Sequence, residues 1–335
     1  MVHQVFTAPC DEAAMEPSPP LPSPLGGDDA AWLLVAGLMA PILALELYDP
    51  FRLHWNSLLL PGAFVAVLAA AAFVYRHRRP DEKIVAMVVA LQQLVLFTCL
   101  GILLSYMVAA RGGAYWDARF QAWDSTLGLD WRAYLDFVDA RPLLGRVYSL
   151  AYASLMPQMI AVILALGFAG RLLALRTVAL AAIISGTATI LLSGVMPGVA
   201  NFVYLGLGPQ DYPNLHPAAA FVHVGDLTAL RDGTLRTVSL ESMQGIITFP
   251  SYHAALATVF AWGFWRSPGW VRWPGLALAA LTLLSTPIDG GHYFVDTFAG
   301  IALGALGLAA APFLARFELP RWNRAPRLRT SPSRH

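Results

Sequence analysis

The chain has 335 residues and a net charge of +1; 57% of it is hydrophobic, 13% is charged, and its mean hydropathy is +0.57. A soluble domain carries about 25% charged residues, so lipid rather than water must solvate most of this one. The balanced charge leaves no basic footprint for nucleic acid. Cys10, in a polar tail, and Cys99, in an apolar run, make neither a disulfide framework nor a metal site.

Residues 1–29 are acidic and Pro-rich with no basic leader, which predicts a disordered tail rather than a cleavable signal. Apolar runs then follow at 30–48, 57–75, 84–109, 147–169, 174–196, 252–268, 273–288 and 294–315. Each is near the ~20 residues a membrane helix needs, the seventh being short. The expected fold is an all-α polytopic membrane helix bundle of about eight transmembrane helices. Helices 1–3 would occupy 30–110, an extracytoplasmic loop 111–146, and helices 4–8 residues 147–316, with a basic cytoplasmic tail at 317–335.

An even number of spans puts both termini on one side. With the N-terminus inside, 14 of the 22 basic residues fall in inside segments, and seven of the remaining eight lie in two long loops where the positive-inside rule is weak. Both termini are therefore predicted to be cytoplasmic. The basic residues are all Arg except Lys83, a composition that suggests a high-GC bacterium through codon bias, and the expected location is a bacterial inner membrane.

The first long loop, about 110–146, contains "WDARFQAWDSTLGLDWRAYLDF". Its aromatics and charges alternate at helical spacing, which predicts a helix lying at the membrane interface. The second, about 197–251, is rich in Gly, Pro and polar residues. Its His216 and His223 read as solvated loop residues, whereas His3, His54, His77 and His335 sit in tails or short loops.

His253 and His292 differ. His253 stands at the mouth of the sixth run, in "GIITFPSYHAALATVF", and His292 at the mouth of the eighth, in "STPIDGGHYFVDTFAG". Runs six and seven form a down-and-up pair of about 24 Å each way, which returns both histidines to the outside face. Asp296 lies four residues after His292, on the same helical face, where it can fix the ring's tautomer. Ser251 reads as a helix N-cap, whose neighbouring N–H groups suit a phosphate. Gly290 and Gly291 allow close backbone approach to a ligand. Phe249, Tyr252, Tyr293 and Phe294 read most simply as an interfacial aromatic belt. A lone histidine at a helix end is usually no catalyst; His, His and Asp on one face are harder to dismiss, because ionisable groups in a span are costly.

Other chemistries fit these residues less well. A metal site lacks a His-Glu-x-x-His pair. A serine hydrolase lacks the G-x-S-x-G elbow. A transporter would place its polar groups near the midplane.

At these positions the chain resembles the type 2 phosphatidic acid phosphatase (PAP2) superfamily. "FPSYHAA" is similar to that family's Pro-Ser-Gly-His motif. "STPIDGGHYFVD" is similar to its Ser-Arg-x5-His-x3-Asp motif, with Ser285, His292 and Asp296 in register and Thr286 in place of the arginine. The family's Lys-x6-Arg-Pro motif has no counterpart; Arg141-Pro142 lacks the lysine and lies in the wrong loop. The aromatic after Pro-Ser and the Gly-His-Tyr resemble the inositolphosphotransferase branch, which includes inositol phosphorylceramide synthases and bacterial relatives.

The motifs cover about 241–300, and the six-helix PAP2-like core would be spans three to eight. The resemblance implies that His292 forms a phosphohistidine, Asp296 orients it, and His253 protonates the leaving alkoxide and then activates the acceptor. No metal or other cofactor would be needed. It further implies a membrane lipid phosphate as substrate, handled on the periplasmic or extracellular face, with water or a lipid hydroxyl as acceptor. Ser251, Gly290 and Gly291, with Tyr252 and Tyr293 beside them, would line the phosphate site. With the motif arginines missing, Arg231 is a candidate clamp, and a solvated loop arginine is the equal alternative. A non-catalytic transporter or lipid-binding protein retaining the fold is the competing reading of the whole chain.

Overall fold

The computed structural model describes residues 28–316. The predicted tails before and after them, with Cys10, lie outside the described residues. The elements in order are α1 (Asp28–Gly37), α2 (Met39–Glu46), β1 (Arg52–Leu53), α3 (Leu59–His77), α4 (Glu82–Ala110), α5 (Asp117–Thr126), α6 (Trp131–Asp139), α7 (Pro142–Ala153), α8 (Leu155–Phe168), α9 (Leu172–Val195), α10 (Asn201–Tyr204), α11 (Val224–Arg231), β2 (Thr237–Val238), α12 (Tyr252–Trp265), α13 (Gly269–Asp289) and α14 (Phe294–Leu314). This is an all-α polytopic bundle.

Among the described residues, six stretches are long and apolar enough to cross a bilayer: Asp29–Glu46, Trp55–His77, Glu82–Ala110, Leu172–Val195, Gly269–Asp289 and Phe294–Leu314. The expected fourth span is two helices, α7 and α8, bent by 56° about Ser154. Pro157 explains the break. It has no N–H for the Ala153 carbonyl, and its ring collides with that carbonyl. Side chains satisfy the opened backbone: the Ser154 hydroxyl donates to the Ala151 carbonyl at 2.7 Å, and the Thr282 hydroxyl also donates to it at 3.1 Å. Gln158 Nε2 then ties Ser154 and Thr282 together at 2.9 Å each.

The expected sixth span is a short interior helix that still runs from one end of the bundle to the other. α12 has 14 residues, ~21 Å of helix, against a hydrocarbon core of ~30 Å. It packs among α8, α9, α13 and α14, and Ala254, Ala255, Ala257, Val259 and Phe260 are fully buried. Its apolar residues therefore face protein. A run of apolar residues reads the same whether its surroundings are lipid or neighbouring helices. The close fit against α14 needs small residues. A side chain on Gly300 would strike the Ser251 carbonyl oxygen, and one on Gly304 would come within 2.6 Å of the Ala255 carbonyl oxygen.

Contacts across the chain show which loops share a side. Arg52 N–H donates to the Arg236 carbonyl at 2.8 Å in the short parallel β1–β2 ladder, and Arg236 Nε meets Asp49 Oδ1 at 2.7 Å. On the opposite end, Lys83 Nζ donates to the Phe168 carbonyl at 3.2 Å, and Arg171 donates to the Arg266 carbonyl. The loops group as an alternating path requires, with 49–56 and 197–251 at one end and 76–83, 169–172 and 266–269 at the other.

Two expectations are corrected. The first long loop is not one interfacial helix. It folds into α5 and α6, which roof the bundle at the end where His253 and His292 lie. α6 buries Trp131, Leu135 and Val138, one face of a helix, against Tyr148, Phe202 and Ile288. The aromatic belt is also interior in part: Phe249 stacks on Phe120 at 4.6 Å, and Phe120 meets Tyr293 at 5.6 Å, all three buried.

Candidate active site

Helix ends build the site. α12 starts at Ser251, whose hydroxyl accepts from the Ala254 N–H at 3.3 Å, as an N-cap does. The first N–H groups of a helix have no partner within it, so those of Tyr252 and His253 stand at this mouth. The Ser251 N–H donates to the Asp296 carbonyl at 3.0 Å, which ties the starts of α12 and α14 together. His253, one residue into α12, is therefore held beside the residues that open α14.

The His292 turn is fixed from several directions. Gly291 has φ +65, a left-handed conformation that suits glycine. Trp131 Nε1 donates to the carbonyls of Pro287 and His292, both at 3.1 Å. Asp296 Oδ2 accepts the Tyr293 N–H at 2.9 Å. Asp124, from α5, accepts the N–H groups of Phe294 and Val295 at 2.9 Å each. Two carboxylates thus supply the acceptors that α14's first turn lacks, one local and one from a distant helix. Burial pushes the Asp124 carboxyl above its ordinary range, and these two N–H groups oppose the shift. Asp124→Ala is expected to lower stability by about 1–3 kcal/mol for each donor left unpaired, read as a lower thermal midpoint in detergent. Asp124→Asn, which keeps one acceptor, is expected to fall between.

His292 Nδ1 lies 3.4 Å from Asp296 Oδ2, with 5% and 0% of the two side chains exposed. Catalytic hydrogen bonds in free enzymes are commonly long and tighten around substrate. Nδ1 faces the carboxylate, so Nε2 is the ring nitrogen turned away from Asp296. Burial holds the His292 imidazole down at about 4, against a smaller upward pull from the Thr248 backbone, so the ring is neutral at pH 7. The Tyr152 ring stacks on His253 with centroids 4.1 Å apart and planes 6° from parallel. The Tyr152 hydroxyl and His292 Cδ2 come to 2.7 and 2.6 Å of the point where a side chain on Gly290 would begin. The absence of that side chain leaves room there for both the Tyr152 hydroxyl and the His292 ring, and the two histidines lie within electrostatic reach of each other. Asp289, at the end of α13, accepts the Ser149 hydroxyl at 2.6 Å on the same side.

The other sequence-predicted residues are placed as follows. Gly290 and Gly291 sit in the site, but their N–H groups donate to the Thr286 and Ile288 carbonyls at 3.2 and 3.3 Å. Tyr252 points away, its hydroxyl on the Ala182 carbonyl of α9 at 3.0 Å. Tyr293 reaches Asp117 Oδ1 at 3.1 Å beneath the roof. Arg231 donates from Nη1 to the Gly113 carbonyl at 2.6 Å, lies over the Tyr115 ring, and lines a small cavity with Gly198, Thr248 and Phe249. Among the described residues, no group of three or more His, Cys, Asp or Glu is spaced to hold a metal ion.

Sequence reasoning missed Tyr152, Asp289, Trp131, Asp117 and Asp124, and misread His223. The carboxylates had a signal: Asp117, Phe120 and Asp124 are spaced three and four apart, one helical face, and all are buried. His223 is 4% exposed and within electrostatic reach of His292. Burial lowers its pKa, against the upward pull of the Ala219 and Val199 backbone.

A polytopic helical bundle that holds two histidines and a carboxylate at one roofed end defines an integral membrane protein with an enclosed polar site. Residues 118–310, more than half of the chain, match the family model of the PAP2 superfamily, and the chain belongs to that superfamily. Membership and the membrane-span helices support a membrane phosphatase-type function. Searches of the curated proteins and of the solved structures gave no match.

Proposed function

We propose that the protein is a lipid-phosphate phosphatase or phosphotransferase acting through a phosphohistidine. The observation that carries this is the convergence of His253, His292 and Asp296 in one buried site, with Tyr152 stacked on His253. His292 Nε2 attacks phosphorus as the P–O bond to the leaving alkoxide breaks. His253 gives that alkoxide its proton. His253 then takes a proton from water or an alcohol, whose oxygen attacks the phosphohistidine and returns His292 to its free form. Asp296 orients the ring and balances the positive charge it gains. Transfer of this kind leaves the protein mainly positioning and charge stabilisation to perform. The N–H groups at the start of α12 meet one part of that need, and Arg231 adds positive potential from the neighbouring cavity. Asp289 offers an acceptor for the hydroxyl of the incoming group.

The acceptor sets the reaction name: water gives a phosphatase and a lipid hydroxyl a phosphotransferase. The inositolphosphotransferase-like motifs favour transfer. An orientation with the site on the periplasmic or extracellular side, in a bacterial inner membrane, accords with the arginine distribution. The test is purified protein in detergent with EDTA, offered phosphatidic acid or phosphatidylinositol, each with and without diacylglycerol or ceramide. Turnover is expected to persist in EDTA. Free phosphate from phosphatidic acid, or inositol phosphate from phosphatidylinositol, would identify hydrolysis, and a new phospholipid transfer; no product from any combination would overturn the proposal.

A further inference from the structure

The geometry points to Asn201 and His223 as the phosphoryl-binding wall of this site, in a chain whose motifs lack the arginines; the inference rests on the phosphoryl-transfer reading above. Buried polar atoms of a folded protein are nearly all hydrogen-bonded, and each exception calls for an explanation. Asn201 Oδ1, His223 Nε2, His292 Nδ1 and Asp296 Oδ1 are buried without a hydrogen-bond partner. The latter two belong to the reacting pair. The former two come from segments that close over the same turn. The Asn201 N–H donates to the Gly291 carbonyl at 2.9 Å, so its side chain starts beside the residue preceding His292. Ala220 and Ala200 stand 2.8 and 3.3 Å from the position a Gly291 side chain would take, which brings the 199–201 and 219–223 segments together there. The Thr248 hydroxyl donates to the Gly198 carbonyl at 3.0 Å, closing the ring of segments around His292. Asn201 is 1% exposed and His223 4%.

A phosphoryl group in transfer spreads charge over three oxygens that need donors. The Gly290 and Gly291 N–H groups are engaged in the turn, and Arg231 Nη1 is engaged by Gly113. Among the described residues, the atoms beside the reacting pair that lack a hydrogen-bond partner are His223 Nε2 and Asn201 Oδ1. An amide presents two donors and an acceptor, and its O and N exchange places by a simple flip. An imidazole offers an N–H and gains a positive charge when protonated. Together they provide directional donors without the permanent charge of arginine.

The experiment titrates full-length protein in detergent with orthovanadate, a free phosphoryl mimic, and separately with dioctanoyl phosphatidic acid. Variants are matched in size to preserve packing: His223→Met against His223→Gln, and Asn201→Leu. Melting curves accompany every variant. His223→Met and Asn201→Leu are expected to bind both ligands about tenfold more weakly, the loss of one hydrogen bond to a charged group. His223→Gln, which keeps a donor, is expected to stay within about threefold of the native protein on the same scale. Equal affinities in native protein and folded variants would overturn the assignment and leave the phosphohistidine reading standing. Weakened lipid binding with unchanged vanadate binding would also overturn it, since the residues would then hold another part of the lipid. Binding of neither ligand by the native protein would remove both readings. Should His223→Met melt early, the comparison of Gln with native histidine decides, because a Gln variant that folds but loses binding beyond tenfold contradicts a simple donor role.

Discussion

His292→Ala is expected to lower turnover by about 10⁴-fold or more, because in the proposed reaction it removes the atom that bonds phosphorus. The same substitution should abolish an acid-labile, alkali-stable phosphoprotein when enzyme and ³²P-labelled substrate are quenched early in turnover. The structure makes His292 a suitable nucleophile in two respects. Its Nδ1 faces Asp296, which leaves Nε2 to attack, and its burial keeps the ring neutral at pH 7. The sign of the pH effect follows. Protonation removes the lone pair, so this group limits the rate only as pH falls toward about 4, below the ordinary histidine value of 6.5. The acid limb of kcat/KM is therefore expected below pH 5, and a limb near 6.5 would show that the ring is not held as described. Labelled protein that survives His292→Ala would place the intermediate on another residue.

The second large effect is expected at His253, and it depends on the leaving group. Loss of a general acid costs about 10²–10⁴-fold when the departing alkoxide needs its proton. A lipid alkoxide needs it; p-nitrophenolate, already stable, does not. His253→Ala should therefore lose two to four orders of magnitude on phosphatidic acid and only about tenfold on p-nitrophenyl phosphate, the remainder being altered packing against Tyr152. Equal losses on both substrates would assign His253 to positioning rather than to proton transfer. Tyr152 gives this comparison a physical basis. Its ring lies flat against His253, so the imidazole's direction is set from α7, the upper half of the broken helix.

The membrane class, the helical composition and the three central residues were legible in the sequence. Period, length and charge distribution are local properties; the expected shared helical face of His292 and Asp296 is corrected, since α14 starts at Phe294 and His292 reaches Asp296 from the extended turn before it. The resemblance of "FPSYHAA" and "STPIDGGHYFVD" supplied roles that spacing alone could not. What was misread was of one kind. Asp117 and Asp124 looked like the polar side of an interfacial helix because carboxylates are usually solvated, yet each is buried on backbone N–H groups from distant segments. His223 looked like a solvated loop residue for the same reason. α12 looked like a lipid-facing crossing because its residues are apolar, whereas it runs between the two ends with four helices around it.

The sequence by itself therefore determined that this chain lives in lipid, that it is built of helices, and that His253, His292 and Asp296 open toward one end. Each of these follows from properties of contiguous residues: hydropathy, helical period and charge. Only the tertiary structure decided that α5 and α6 roof that end, that Pro157 breaks the fourth span and sets Tyr152 against His253, and that Asn201 and His223 close over the His292 turn. Those placements join residues 70 to 170 positions apart, and they depend on which buried donor finds which acceptor. No local pattern records such a pairing, because the same aspartate, asparagine or histidine is equally at home in water until the packed helices take the water away.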